Sequence, residues 1–409
     1  MKNKKIVLII LLFLNIIALS KNTVFATNKV NISANSAILI DSKTGSVLYE
    51  KNSEKKTFPA STTKILTAVV VLENCKLDEK VTVKQSAISA VPDGYSTAFL
   101  TQGEQISVKD LLTLFLVHSS NDAGYVLAEY CSNSIHDFAK LMNETATKIG
   151  CKNSNFLNPC GIHDDNHYTT SYDLGLIARY AMQNETFRNI VSLKECEVGA
   201  TNKYGVRKYK NTNELINTNS KYYLSDCIGI KTGFTSQAKS CLVSCFNKNN
   251  LELICVVLGS NYPENTQNSR FIDSNILHDY VYNNFANKII KNKNDIIDTL
   301  QIKKASKKTK NLNIILEDNI CALVNINEDL PLPTISIDKN LIAPIKQGSI
   351  VGNISYEIYG VKYTQNLIAE NDVEKDLTCV FIIIAILLII VCLILFLFLF
   401  KKFSNKNKF

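Results

Sequence analysis

The chain has 409 residues, enough for two domains and a large core. Charged residues make up 20% and the net charge is +8, with lysines scattered and not interleaved with aromatics, which excludes a nucleic-acid-binding surface. The cysteines are too sparse for a disulfide scaffold and lack metal-ligand spacing, so mostly free thiols and no metal are expected.

Lys2, Lys4 and Lys5 precede an apolar run over 6–19, and Val24-Phe25-Ala26 ends in a small residue. This predicts a secretory signal peptide over 1–26. Runs at 36–40 and 46–49 flank a turn that ends in Gly45 and read as a β-hairpin. Pro59 then opens a helix from Ser61 whose apolar stripe is Ile65, Leu66, Val69, Val70 and Leu72. A short strand at 82–85 and a loop at 91–97 with Pro92, Asp93 and Gly94 come next. Residues 108–117 read as a buried helix, and Asn121 or Asp122 is placed to cap a helix over 124–131. Helices are expected at 135–149, ended by Gly150, and at 170–182, with Thr170 or Ser171 as N-cap.

After these the period changes. Residues 228–235, 240–246 and 251–258 read as strands, the last two as a hairpin, and 269–285 as a helix. The simplest assembly is an α/β (α+β) domain over 27–288: one antiparallel sheet built from both chain ends, with a helical lobe inserted. The lysine-rich stretch 288–310 marks a boundary and reads as solvated surface or as a patch for anionic wall polymer or lipid. Alternating runs at 312–316, 322–326 and 350–358 suggest a small all-β domain over 289–372. Residues 377–400 carry no charge and are followed by Lys401, Lys402, Lys406 and Lys408. They predict a transmembrane helix, a cytoplasmic tail over 401–409, and an extracellular bulk.

Ser61 and Lys64 stand three residues apart, one turn up the same helical face. A serine hydroxyl needs a neighbour that takes its proton, and a lysine starved of water near a second cation can be neutral enough to serve. The pattern alone is weak, since it recurs at Ser53/Lys56, Ser236/Lys239 and Ser336/Lys339. Two further motifs, in chain order, set the copy at Ser61 apart: Ser119-x-Asn121, then Lys231-Thr232-Gly233. A second K-T-G at Lys43-Thr44-Gly45 sits in the first hairpin turn, and a second S-x-N is Ser33/Asn35.

This motif set is known from penicillin-binding proteins and class A β-lactamases. With the runs P-A-S-T-T-K-I-L-T-A, S-S-N-D-A, N-P-C-G-I, Y-T-T-S-Y-D-L, G-I-K-T-G-F-T and A-P-I-K-Q-G, the chain resembles the low-molecular-mass penicillin-binding proteins, the D-alanyl-D-alanine carboxypeptidases. The resemblance implies a DD-peptidase/β-lactamase-like catalytic domain, a β-rich C-terminal domain and a membrane anchor. It implies Ser61 as nucleophile, Lys64 as base with its pKa lowered by burial and by Lys231, Ser119 as proton carrier and Asn121 on the substrate carbonyl. The Ser61 and Phe234 amides would form the oxyanion hole, while Lys231, Thr232, Thr235 and Arg270 would face the terminal carboxylate beside Gly233. Peptidoglycan stem peptides and β-lactam antibiotics are the implied partners, with no cofactor. Three residues depart from the pattern: Ser120 for glycine, Cys160 for histidine, and Lys239 where Ala-Gly precedes a strand. A class A-like β-lactamase and a non-enzymatic wall-binding protein are the alternatives. The stretch 158–172 offers Asp164 and Asp165 but no deacylating glutamate.

Overall fold

The structure is a computed structural model that describes residues 30–406. The expected signal peptide and residues 407–409 lie outside the described residues. Strands β1 (Ser36–Asp41), β2 (Val47–Lys51), β7 (Cys227–Thr235), β8 (Lys239–Lys248) and β9 (Leu251–Ser260) form one antiparallel sheet in the order β2-β1-β9-β8-β7. The chain's early hairpin and its later hairpin thus meet at the β1–β9 ladder, with Leu39 opposite Cys255.

Both faces of this sheet are covered. Ile38, Ile40, Val243, Ile254 and Val256 point into one core, and Leu39, Leu242, Leu253, Cys255 and Val257 into another. That is why β8 and β9 are almost continuously apolar where a half-buried strand would alternate. The larger core is the helical lobe: α1 (Lys64–Asn74), α2 (Gln85–Ser89), α3 (Val108–Val117), α4 (Asn121–Ser132), α5 (Ile135–Ile149), α6 (Ser171–Ala181) and α7 (Glu185–Val191). The helix α8 (Ser269–Asn284) packs on the other face through Phe271, Leu277 and Val281.

The expected helices at 108–117 and 135–149 are present with those bounds, and Gly150 takes the left-handed cap at φ 106°. Other expectations need correction. Ser61 lies in a 3₁₀ turn, Ala60–Thr63, and the α-helix begins only at Lys64. The strand expected at 82–85 is Lys80–Thr82 (β3), paired to an unexpected β4 (Gln105–Ser107), and Gln85 starts α2. The helix expected from Gly124 begins at Asn121. Its N-cap is Ser120, which makes no side-chain cap bond. Asp122 instead accepts the amides of Ala98, Leu100 and Ala123 at 2.9–3.0 Å, pinning the 96–100 loop. The hairpin β5 (Glu195–Val198) and β6 (Arg207–Lys210) was also not expected.

The C-terminal domain is all-β. A five-stranded sheet runs β11 (Ile296–Gln301), β12 (Asn311–Leu316), β16 (Val361–Ala369), β15 (Ile350–Ile358), β14 (Thr334–Ile337). Beside it β10 (Phe285–Lys291) pairs with β13 (Ile320–Asn325). The lysine-rich stretch is therefore not loop alone: it holds the end of β10, where Lys288 is exposed, and the whole of β11. The helix α9 (Thr378–Lys406) comes last, and its segment Thr378–Leu399 has mean hydropathy 3.8 and no burial against the protein. It is the one helix among the described residues long and apolar enough to cross a membrane.

Arg207 and Glu104 form a two-pronged ion pair at 2.7 and 3.0 Å, with side chains 1% and 0% exposed. Arg207 Nε also donates to Ala98 O at 2.8 Å, and Thr201 Oγ1 to Glu104. The pair ties the 98–104 loop to β6. Glu104→Ala leaves a buried guanidinium without its countercharge, and is expected to cost about 3–5 kcal/mol in denaturant unfolding. A loss below about 1 kcal/mol would show that this pair does not hold the lobe together.

Candidate active site

The 3₁₀ turn has a backbone signature and a chemical result. Ala60 is held at φ 48°, so the chain turns sharply after Pro59. In a 3₁₀ turn residues three apart eclipse. Ser61 and Lys64 therefore point the same way, and Lys64 Nζ lies 2.8 Å from Ser61 Oγ. Lys64 Nζ also donates to Asn121 Oδ1 at 2.8 Å and to Cys160 O at 3.3 Å. Asn121 is fixed in turn by its Nδ2, which donates to Ser96 O at 2.9 Å.

Two glycines set the close approaches. A Cβ on Gly161, which has φ +75°, would lie 1.8 Å from Ala60 O. Only glycine lets the 158–162 loop pass so near the nucleophile turn. Asn158 shapes that loop: its Oδ1 accepts the amides of Cys160, Gly161 and Ile162 at 2.8–3.1 Å. The result is a carbonyl, Cys160 O, aimed at Lys64. On the other side, a Cβ on Gly233 would stand 3.0 Å from both Pro59 O and Ser61 N, so the outer edge of β7 lies against the Ser61 amide.

These segments wall a cleft of about 660 Å³. Ser61, Ser119, Asn121, Thr232, Gly233, Phe234, Thr235 and Arg270 all line it, and Lys64 and Lys231 lie buried at its base, 0% and 1% exposed. The ten residues that the resemblance assigns to the site are thus brought to one place. The other K-T-G is a hairpin turn and takes no part in it. Ser119 stands at φ 66°, and its hydroxyl makes no hydrogen bond among the described residues. Lys231 Nζ donates to Thr232 O at 3.1 Å, and Arg270 Nη1 to Gly233 O at 2.8 Å, while Arg270 Nε is buried without a partner. Thr235 Oγ1 accepts from Ala238 N at 2.9 Å and closes the turn to β8.

Burial brings Lys64 down to about 8, against the opposing pull of the Asp122 carboxylate. Lys231 is pushed well below the usual lysine value, first by burial and then by the Lys64 and Arg270 cations. The expected lowering of Lys64 by Lys231 is not among the causes of its shift; the repulsion falls on Lys231 instead. Repulsion between two ammoniums is relieved by the first proton lost, so it falls on one member of a coupled pair. Lys64 has three acceptors and Lys231 has one, so in the empty cleft the positive charge is better held by Lys64. Burial also lowers Arg270 to about 10.

The departures are accommodated. The Cys160 thiol is buried, pushed up to about 12 by burial, and packs against the Asn121 backbone, so only its carbonyl meets Lys64. Ser120 has φ −66°, which needs no glycine, but its buried hydroxyl lacks a partner. Lys239 takes φ 57° at the start of β8, a conformation that favours glycine. Asp164 and Asp165 are exposed outside the cleft; Asp164 accepts the Asn166 amide and Asp165 faces His163. Sequence reasoning missed the opposite wall, Asp93, Tyr95, Ser96, His118 and Thr212. His118 stacks on Tyr209 with ring centroids 3.8 Å apart, and Thr212 Oγ1 lies 2.6 Å from Thr232 Oγ1.

A five-stranded antiparallel sheet whose edge strand faces a serine, two buried lysines and an asparagine is the architecture of the serine DD-peptidases. Residues 23–262 match the D-alanyl-D-alanine carboxypeptidase family and residues 285–375 the C-terminal domain of penicillin-binding protein 5. The carboxypeptidase DacF of Bacillus subtilis is 30% identical over 85% of this chain and 88% of its own length. The D-alanyl-D-alanine carboxypeptidase of Streptomyces sp. strain K15 is 36% identical over 58% of this chain and 84% of its own. Among solved structures, the carboxypeptidase DacD of Francisella tularensis superposes with a TM-score of 0.65 at 26% identity, covering 87% of this chain and 97% of that one. The chain belongs to the D-alanyl-D-alanine carboxypeptidase family. It is a serine-type hydrolase with DD-carboxypeptidase activity, and neither the β-lactamase nor the wall-binding alternative is favoured.

Proposed function

We propose that the residues of the cleft remove the terminal D-alanine of peptidoglycan stem peptides through an acyl-enzyme on Ser61. The observation that carries this reading is the 2.8 Å contact of Ser61 Oγ with a buried lysine whose pKa is lowered to about 8. The substrate's terminal carboxylate lies against Lys231, Thr232, Thr235 and Arg270. It stabilises the Lys231 ammonium, so the charge moves from Lys64 to Lys231 and Lys64 becomes the neutral base. Lys64 Nζ takes the Ser61 proton as Oγ forms its bond to the scissile carbonyl carbon. The Ser61 and Phe234 amides hold the oxyanion, and Asn121 the carbonyl of the preceding peptide bond. Ser119, with its hydroxyl free of other bonds, hands the proton to the leaving D-alanine. Water then releases the shortened peptide. Ser61, Lys64, Ser119 and Asn121 are catalytic here; Lys231, Thr232, Gly233, Phe234, Thr235 and Arg270 bind substrate.

The test is mass spectrometry of muropeptides after incubation with the purified protein. Loss of one alanine from stems ending in D-Ala-D-Ala supports the reading; unchanged stems refute it.

The segment Thr378–Leu399 supports a second element of the reading, a single membrane anchor with the catalytic domain outside the cell. Residues 27–372 alone are expected to stay soluble and keep activity. Recovery of that truncated chain in the membrane fraction would contradict the anchor. Protease added to wall-stripped cells should remove the catalytic domain, and its survival would reverse the orientation.

A further inference from the structure

Beside the cleft, past the 236–238 turn, lies a second groove of about 460 Å³. Gln237 lines both, so the two are neighbours. The groove's charged wall is Lys55 and Lys56, the spare S-x-x-K copy being part of it. The backbone directly after them is pinned. Thr57 N donates to Thr169 O at 2.7 Å and Thr169 N to Thr57 O at 3.0 Å, an antiparallel bridge directly upstream of the Ser61 turn. The bridge sets Lys56 against Tyr168, with Nζ 4.3 Å from the ring centroid and 3.3 Å from the phenol oxygen. Neither lysine has a carboxylate partner among the described residues. The groove's own carboxylate, Asp165, is turned to His163 at 3.5 Å.

We propose that this groove is a subsite for a carboxylate in the part of the stem peptide upstream of D-Ala-D-Ala, held by Lys55 and Lys56. The inference rests on the carboxypeptidase reading. In that reading the terminal carboxylate sits at Lys231 and the scissile bond at Ser61, so the rest of the peptide must leave the cleft. On the far side of Gln237 stand two ammoniums without countercharges. An extended chain advances about 3.3–3.6 Å per residue, so each upstream residue carries the stem farther from Ser61. Tyr168 holds Lys56 by its π face and leaves its other protons to the ligand. Two sources supply the chemistry: the α-carboxylate of a γ-linked glutamyl residue, or the extra carboxylate of a diaminopimelyl residue.

The test measures kcat/KM for D-alanine release from matched peptides. One arm compares a glutamyl carboxylate with its amide, the other diaminopimelate with lysine at the third position. At low salt, the carboxylate form is expected to be favoured roughly three- to tenfold in the arm that carries the ligand, as two exposed ion pairs supply. The preference should shrink at high salt. In the K55Q/K56Q double variant it should vanish, while acylation by benzylpenicillin, whose one carboxylate goes to Lys231 and which brings none to the groove, keeps its rate. No preference in either arm, or a preference that survives in the double variant, overturns the proposal. No alanine release from any peptide overturns the carboxypeptidase reading and this inference with it.

Discussion

Ser61→Ala is expected to lower D-alanine release by ~10⁴-fold or more and to abolish covalent labelling by penicillin. The serine is partly exposed and supplies no buried contact beyond the Lys64 bond. Its stability should therefore change by less than about 1 kcal/mol, so the loss cannot be assigned to unfolding. Labelling that persists in the folded variant, or that maps to Ser53, Ser236 or Ser336, would contradict the nucleophile assignment. Those serines open the other S-x-x-K patterns. They stand before the catalytic turn, in the β7–β8 turn and on β14, without a buried lysine in register.

Lys231→Ala should cost ~10²–10³-fold in kcat/KM for both peptide and penicillin, since each brings a carboxylate to the same end of the cleft. The pH profile carries a finer test. The free pair holds one proton, on Lys64, and loses it at about pH 8. The bound carboxylate draws that proton to Lys231, so the singly protonated pair is the active form and kcat/KM should fall as pH rises through that value. In Lys231→Ala no neighbour can take the proton from Lys64, so acylation waits for solvent to remove it and the remaining rate should rise with pH instead. A variant profile that falls like that of the unsubstituted protein would show that the two lysines do not share charge as described.

The catalytic motifs were legible because each sits where a local pattern changes. Ser61 comes just after a proline and starts an apolar stripe, Ser119 follows a helix whose bounds the sequence marks sharply, and Lys231 lies on the first strand of the main sheet after the helical lobe, at the sheet edge. What was not legible is the apparatus that holds them. The carbonyl at Lys64 belongs to Cys160, and no side-chain pattern announces a backbone acceptor. Asn158, which aims that carbonyl, reads as a loop asparagine until its three amide partners are seen. Arg207 and Glu104 meet across about a hundred residues of chain, and Asp122 looks like a helix cap while its carboxylate serves another loop. The Glu195–Val198 strand did carry a signal, because Glu-Cys-Glu-Val alternates and is buried at every second residue. The helix at Gln85–Ser89 carried little, being too short for a period. The 3₁₀ turn at Ser61 depends on Ala60 at positive φ and on Gly161 and Gly233 pressing from both sides, which are contacts between distant segments.

The lifetime of the penicillin adduct on the purified protein tests the central claim most directly, because it separates a carboxypeptidase from a β-lactamase sharing the same serine chemistry. The two carboxylates of the 158–172 stretch are exposed outside the cleft, so no glutamate or aspartate from that loop is positioned to activate water against the Ser61 ester. Intact-protein mass spectrometry should show one penicillin bound, mapped to Ser61 and stable for minutes or longer, in a sample that releases D-alanine from a peptide ending in Lys-D-Ala-D-Ala. Rapid catalytic hydrolysis of penicillin with no adduct and no D-alanine release would contradict it.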